Sequence, residues 1–175
     1  MKWGKVEFKA DYNKKTTQPK MIDKQKMEEQ ESKDFHTTEK IMQKIFAAYN
    51  KSAKLKQNPI YSAIDAQMIV NNRKYYAVEI KQRQQDMEVY DTLPLKVSKY
   101  CNILENKGED ETPLIIYLVN DEEYYIFNLE KLDLNKCTIC NWFINKVEFS
   151  QKQEKDKQPT IFIPINQCVY NGQIN

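Results

Sequence analysis

The chain has 175 residues, 41% hydrophobic and 30% charged, with 11 Tyr, 7 Phe and a mean hydropathy of −0.78. That is enough apolar material for a packed core without disulfides or a structural metal. No apolar run reaches the roughly 20 residues of a membrane-spanning helix, residues 1–17 lack the apolar stretch of a signal peptide, and Cys101, Cys137, Cys140 and Cys168 read as reduced thiols, so a cytoplasmic protein with no membrane partner is expected.

In chain order, residues 20–33 predict a polar helix anchored by Met21 and Met27. Residues 37–49 predict a stronger one, with Met42, Ile45, Phe46 and Tyr49 at i, i+3, i+4 and i+7. The Lys-rich stretch 51–59, ending in Asn58-Pro59, reads as a polar linker. Strands follow at 61–70 and 74–83, joined around Asn71-Asn72. A helix is expected over 92–106, with Pro94 in its first turn and Val97, Tyr100, Cys101 and Leu104 as its stripe. After an acidic loop at 106–113, the apolar run 114–119 predicts a strand buried on both faces, with 124–129 as its hairpin partner. Further strands are expected at 138–144, 146–149 and 160–165, separated by a solvated loop at 150–159. The expected class is α/β: a mixed sheet flanked by helices, with a strand-rich C-terminal extension at 136–175.

Chemistry concentrates in Ile64-Asp65 and, after thirteen intervening residues, Glu79-Ile80-Lys81. Along a strand, Glu79 and Lys81 share a face with Tyr75, Ala77 and Arg83, while Tyr76, Val78 and Ile80 turn the other way. Carboxylates from Asp65 and Glu79, with the Ile80 carbonyl, make an oxygen donor set for Mg²⁺, with Mn²⁺ able to substitute. Lys81 is then placed to stabilise charge developing on a scissile phosphate. Glu39, three residues before Met42 and seven before Phe46, falls on the buried stripe of its helix, where a carboxylate needs a cation or a strong donor.

In this order, the residues resemble the PD-(D/E)XK nuclease superfamily, the restriction-endonuclease-like fold: Glu39 on the first helix, Asp65 on a strand, Glu79-Ile80-Lys81 on the next. Ile64 stands where the family name has Pro. The resemblance implies one nuclease-like domain over 1–175, with an αβββαβ core at about 35–130 and residues 1–34 as an elaboration. It makes Asp65 and Glu79 metal ligands, Lys81 the catalytic lysine and Glu39 the auxiliary carboxylate. Lys96 and Lys99 stand where members often place a phosphate-contacting or helper residue; with Gln67 and Arg83 they are the candidate substrate contacts. The implied function is a Mg²⁺-dependent DNA endonuclease of bacterial or phage DNA processing, and a homodimer if it cuts both strands. The alternative is an inactive nuclease-like fold that binds nucleic acid or protein.

Other features point to blander roles. Cys137-Thr138-Ile139-Cys140 has no second ligand pair to complete a zinc site. His36, the sole His, sits before a helix start without a nucleophile to serve. Three Gly exclude glycine-rich phosphate loops, so no nucleotide cofactor is expected. Residues 1–60 carry a net +6 and residues 101–135 a net −7. The Lys14-Lys15 and Lys51/Lys54/Lys56 groups are candidates for backbone contact. Arg73 and Arg83 are the only Arg among 27 basic residues, which limits bidentate reading of guanine.

One geometric condition decides whether the site forms. A two-residue Asn71-Asn72 turn would oppose Asp65 to Val78 and send Glu79 to the other face. A three-residue Asn71-Asn72-Arg73 loop, or a bulge, opposes Asp65 to Glu79.

Overall fold

The computed structural model describes residues 21–59, 62–144 and 156–174. Lys14 and Lys15, the strand expected at 146–149 and most of the expected loop at 150–159 lie outside them.

The two helices expected in the first third are one, α1 (Met21–Ala47). Nothing between 33 and 37 breaks a helix, so the two apolar stripes join through Phe35 and the fully buried Thr38. It ends where Asn50 takes a left-handed φ of 56° and Lys51 N–H bonds back to the Phe46 carbonyl, a Schellman arrangement.

The stretch expected as a linker contains a strand, β1 (Ala53–Gln57). Ala53 and Leu55 turn inward while Lys54 and Lys56 face out, and β1 is a sheet edge, where exposed Lys is favoured. Next come β2 (Ala66–Val70), shorter than the strand expected at 61–70, and β3 (Lys74–Arg83). The helix expected over 92–106 splits into β4 (Thr92–Lys96) and α2 (Val97–Asn106). Pro94 is therefore in a strand rather than a helical turn; β4 is an edge strand, where a missing N–H is tolerated. The acidic loop ends early, because β5 (Glu111–Val119) begins inside it. β6 (Glu123–Asn128), β7 (Thr138–Ile144), β8 (Asp156–Pro164) and β9 (Tyr170–Gln173) complete the chain.

The main sheet runs β1-β2-β3-β5-β6-β9, and β4-β8-β7 form a smaller one. β1, β2 and β3 are an antiparallel meander, and β5 is parallel to β3. The order α1, β1-β2-β3, α2, β5 is the expected αβββαβ core of a restriction-endonuclease-like fold, with β4 inserted before α2.

β5 is buried on both faces, as its composition predicts. Leu114, Ile116 and Leu118 join Ile41, Met42, Ile45 and Phe46 of α1. Ile115, Tyr117 and Val119 join Leu93, Leu95, Ile103, Ile161 and Ile163 on the other side. Odd-numbered side chains of β3 thus face α2 and the small sheet, and even-numbered ones face α1. The tyrosine pairs split as alternation requires: Tyr76 and Tyr125 are buried, Tyr75 is exposed and Tyr124 half-buried. Among the described residues, no helix is long and apolar enough to cross a membrane.

Candidate active site

The β2–β3 connection is the three-residue loop. Val70 pairs with Lys74 and Ala66 with Val78, so the same register opposes Asp65 to Glu79. Asn71 and Asn72 make this possible by holding φ of 51° and 54°, a region Asn enters more readily than other side chains. Arg73 N–H closes the turn on the Val70 carbonyl at 3.1 Å, and Asn71 Oδ1 accepts from Ser52 N–H at 2.8 Å, tying the turn to β1.

Asp65, half-buried, stands one residue before β2 and accepts from Ile80 N–H through Oδ2 at 2.8 Å. That bond shows where the main chain points. Ile80 turns its N–H and C=O toward the β2 side, past the residue where β2 enters the ladder. Arg83, an odd residue, instead offers its carbonyl to Asn120 on the β5 side. The Ile80 carbonyl therefore lies on Asp65's side of β3.

Glu79 has no exposed surface. Its Oε1 is in direct contact with Lys81 Nζ and 2.8 Å from Lys99 Nζ. These contacts are ion pairs without well-aligned hydrogen bonds, and Oε2 is buried with no protein partner among the described residues. Burial pushes the Glu79 carboxyl above the usual carboxylate range; Lys81 opposes this and Asp65 adds to it. Lys99 Nζ also donates to the Ala63 carbonyl at 3.0 Å, so α2 is pinned both to β3 and to the segment leading into Asp65.

The expected auxiliary carboxylate is elsewhere. Glu39 Oε2 is 3.9 Å from His36 Nδ1, an i,i+3 pair on the helix itself, and α1 packs on the sheet face opposite Glu79. The helix residue that senses the site is Glu31. Glu31 is exposed, and its carboxyl is raised by partial desolvation first, then by the neighbouring charges of Asp65 and Glu28, while Lys81 lowers it. α1 runs beyond the apolar layer, where Lys33 reaches Asp121 at 2.9 Å beside the end of β3 and Gln82 meets the same carboxylate. A sequence signal existed: Glu31, Phe35, Thr38, Met42 and Ile45 follow at i, i+4, i+7, i+11 and i+14, so the same stripe reaches one turn beyond Phe35.

The candidate substrate contacts scatter. Lys99 is committed to Glu79 and Ala63. Gln67 lies on the Asp65 face but donates to Glu111 at 3.0 Å. Arg83 lies over the Tyr117 ring, 5.9 Å from its centroid, and donates to the Gln82 carbonyl. Lys96, half-buried, is the residue before α2, paired with Thr160 of β8. All four Cys are free thiols, and Cys140 is exposed.

Two carboxylates and one main-chain carbonyl suit an ion that keeps most of its waters, as Mg²⁺ does. The orphaned Glu79 Oε2 is a donor atom such an ion would satisfy. Among the described residues no three acidic, His or Cys side chains cluster, so an ion here would draw on two carboxylates, the Ile80 carbonyl and water.

No family model matches the chain, and no curated relative aligns with it. Among solved structures, it is similar to Hjc, a Holliday junction resolvase from Archaeoglobus fulgidus, at 13% identity and a TM-score of 0.44 over 78% of this chain and 88% of that one.

Proposed function

We propose that the protein is a divalent-metal-dependent nuclease that hydrolyses DNA phosphodiester bonds, of the PD-(D/E)XK type. The observation that carries this reading is the opposition of Asp65 to Glu79 across a three-residue hairpin, with Lys81 one pleat further on the same face, in contact with Glu79.

Asp65, Glu79 and the Ile80 carbonyl would hold Mg²⁺ or Mn²⁺, which when bound supplies Lewis-acid polarisation of the phosphoryl oxygens. The chain does the rest. Ile80 N–H fixes the Asp65 carboxylate by occupying Oδ2 and so orients Oδ1. Lys99 holds Glu79 from α2. Lys81, part-exposed, can leave Glu79 for a phosphoryl oxygen, where its charge counts most as the pentacoordinate phosphorus builds negative charge. Glu31 supplies the further carboxylate from α1.

Labelled linear and branched DNA incubated with wild type and Asp65→Asn tests this. Cleavage in Mg²⁺, none in EDTA and none by Asp65→Asn is expected. Binding without cleavage in either metal would favour the inactive binding module.

A further inference from the structure

The strand registers place more on the catalytic face than the four site residues. Residues opposed across strands share a face, so the pairings can be read as rows. One row is Lys54, Ile69, Tyr75 and Glu111; the next is Lys56, Gln67, Ala77 and Pro113; the next holds Asp65, Glu79 and Ile115. Lys56 is therefore one pleat repeat from the Asp65–Glu79 row and Lys54 two, roughly 7 Å per repeat.

Burial divides this face in two. On its β5 side, Ile115, Tyr117 and Val119 are wholly covered. On its β1–β2 side, Lys54, Lys56 and Gln67 are exposed, and Tyr75 shows 42% of its surface. Neither Lys54 nor Lys56 has an acidic partner among the described residues. Asp65 lies one pleat repeat beyond Gln67, and at the end of the Lys54 row, opposed to Tyr75, Glu111 is held by Gln67 and by Gly108 N–H. It borders a cavity of about 490 Å³ that also takes in Asn58, Ala63 and Ile64 beside Asp65. The charge gradient steers an anionic backbone to the β1 edge, and the rows lead it to the site.

We propose that the open β1–β2 face seats one unpaired nucleic-acid strand leading into the cleavage site, with Lys54 and Lys56 on its phosphates and Tyr75 stacked against a base. This rests on the nuclease reading and names the form of its substrate. From the β1 edge, a base must reach across two strand spacings, about 10 Å, to meet Tyr75. A paired base, turned in toward its complement, cannot do so. Lysine charge beside an exposed aromatic ring is the combination that holds single strands without reading sequence.

Binding of a short labelled single strand and of the matching duplex in EDTA, followed by fluorescence anisotropy, tests the proposal without calling on metal or cleavage. All three side chains are exposed, and unchanged thermal melts of the variants confirm their folding. For the single strand, Lys54→Ala/Lys56→Ala should weaken binding at least tenfold at low salt and reduce the slope of log K against log salt by about 1.4. Tyr75→Ala should weaken it roughly tenfold, Tyr75→Phe should not, and the duplex should not respond to either. An unchanged salt slope in the lysine variant, or equal loss on duplex and single strand in Tyr75→Ala, would overturn the proposal. A protein that binds in this pattern yet cuts nothing in Mg²⁺ upholds the track and contradicts the nuclease reading; one that cuts while these variants bind normally does the reverse.

Discussion

Glu79 carries a conflict that a proton or a bound cation would relieve. Its carboxylate is wholly buried, two ammonium groups crowd one oxygen, and the other oxygen has no partner among the described residues. Burying an anion this way costs several kcal/mol before pairing offsets it. Because burial raises its pKa in the folded state, the unfolded chain ionises Glu79 first. Over that interval the folded state holds more protons, so stability falls as pH rises. In EDTA, Glu79→Gln should therefore gain about 1 kcal/mol on wild type between acid pH and neutrality, since Lys81 and Lys99 are each part-exposed and can turn to water. Urea melts at the two pH values measure this; a constant difference would contradict it. The two helix carboxylates give a second residue-scale prediction. Glu31→Gln should lower kcat by roughly 10-fold or more, and Glu39→Gln should leave it within about twofold, in steady-state cleavage assays.

Among the elements, the β2–β3 hairpin sets the site's parity. Its loop needs two left-handed residues in succession, and a β-branched side chain there is strained. Asn72→Val should cost about 1–2 kcal/mol by denaturant melts, while Asn72→Gly should be close to neutral. The parity condition was readable before any coordinates, because a pleat of period 2 leaves only two outcomes and one of them scatters the carboxylates. The carboxylate from α1 was not. Glu39 is half-buried as its place near Met42 and Phe46 suggests, but it lies on the face opposite Glu79, and the helix carboxylate whose charge couples to Asp65 and Lys81 is Glu31, two turns earlier. β1 was missed because an edge strand carrying Lys54 and Lys56 has the composition of a linker. β4 was missed because Pro94 suits both a first helical turn and an edge strand, and the partner that settles the choice, β8, is more than 60 residues away.

At the scale of the molecule, the placement of individual charges around the site matters more than the segment totals. Lys54 and Lys56 emerge on the Asp65–Glu79 face, Glu111 stands beside Tyr75 at the end of the Lys54 row, and Asp121 is held by Lys33 and Gln82. Arg83 is engaged with Tyr117, and Arg73 stands out on the β2–β3 loop, so the exposed cations in the rows nearest the site are lysines. Nucleic-acid binding should fall steeply with added salt and discriminate little among base sequences. Competition binding across unrelated sequences at two salt concentrations checks this, and a strong preference for one short sequence retained at high salt would contradict it.

The proposed nuclease divides its labour: Asp65 and Glu79 would bind the ion, and Lys81 would act on the phosphoryl group. Calorimetric titration of Mn²⁺ into wild type, Asp65→Ala and Lys81→Ala, with cleavage measured on the same preparations, tests it most directly. Asp65→Ala should lose both metal binding and cleavage, whereas Lys81→Ala should keep wild-type metal affinity or better and lose cleavage. Metal affinity that is lost equally in both variants, or that survives in Asp65→Ala, would contradict it.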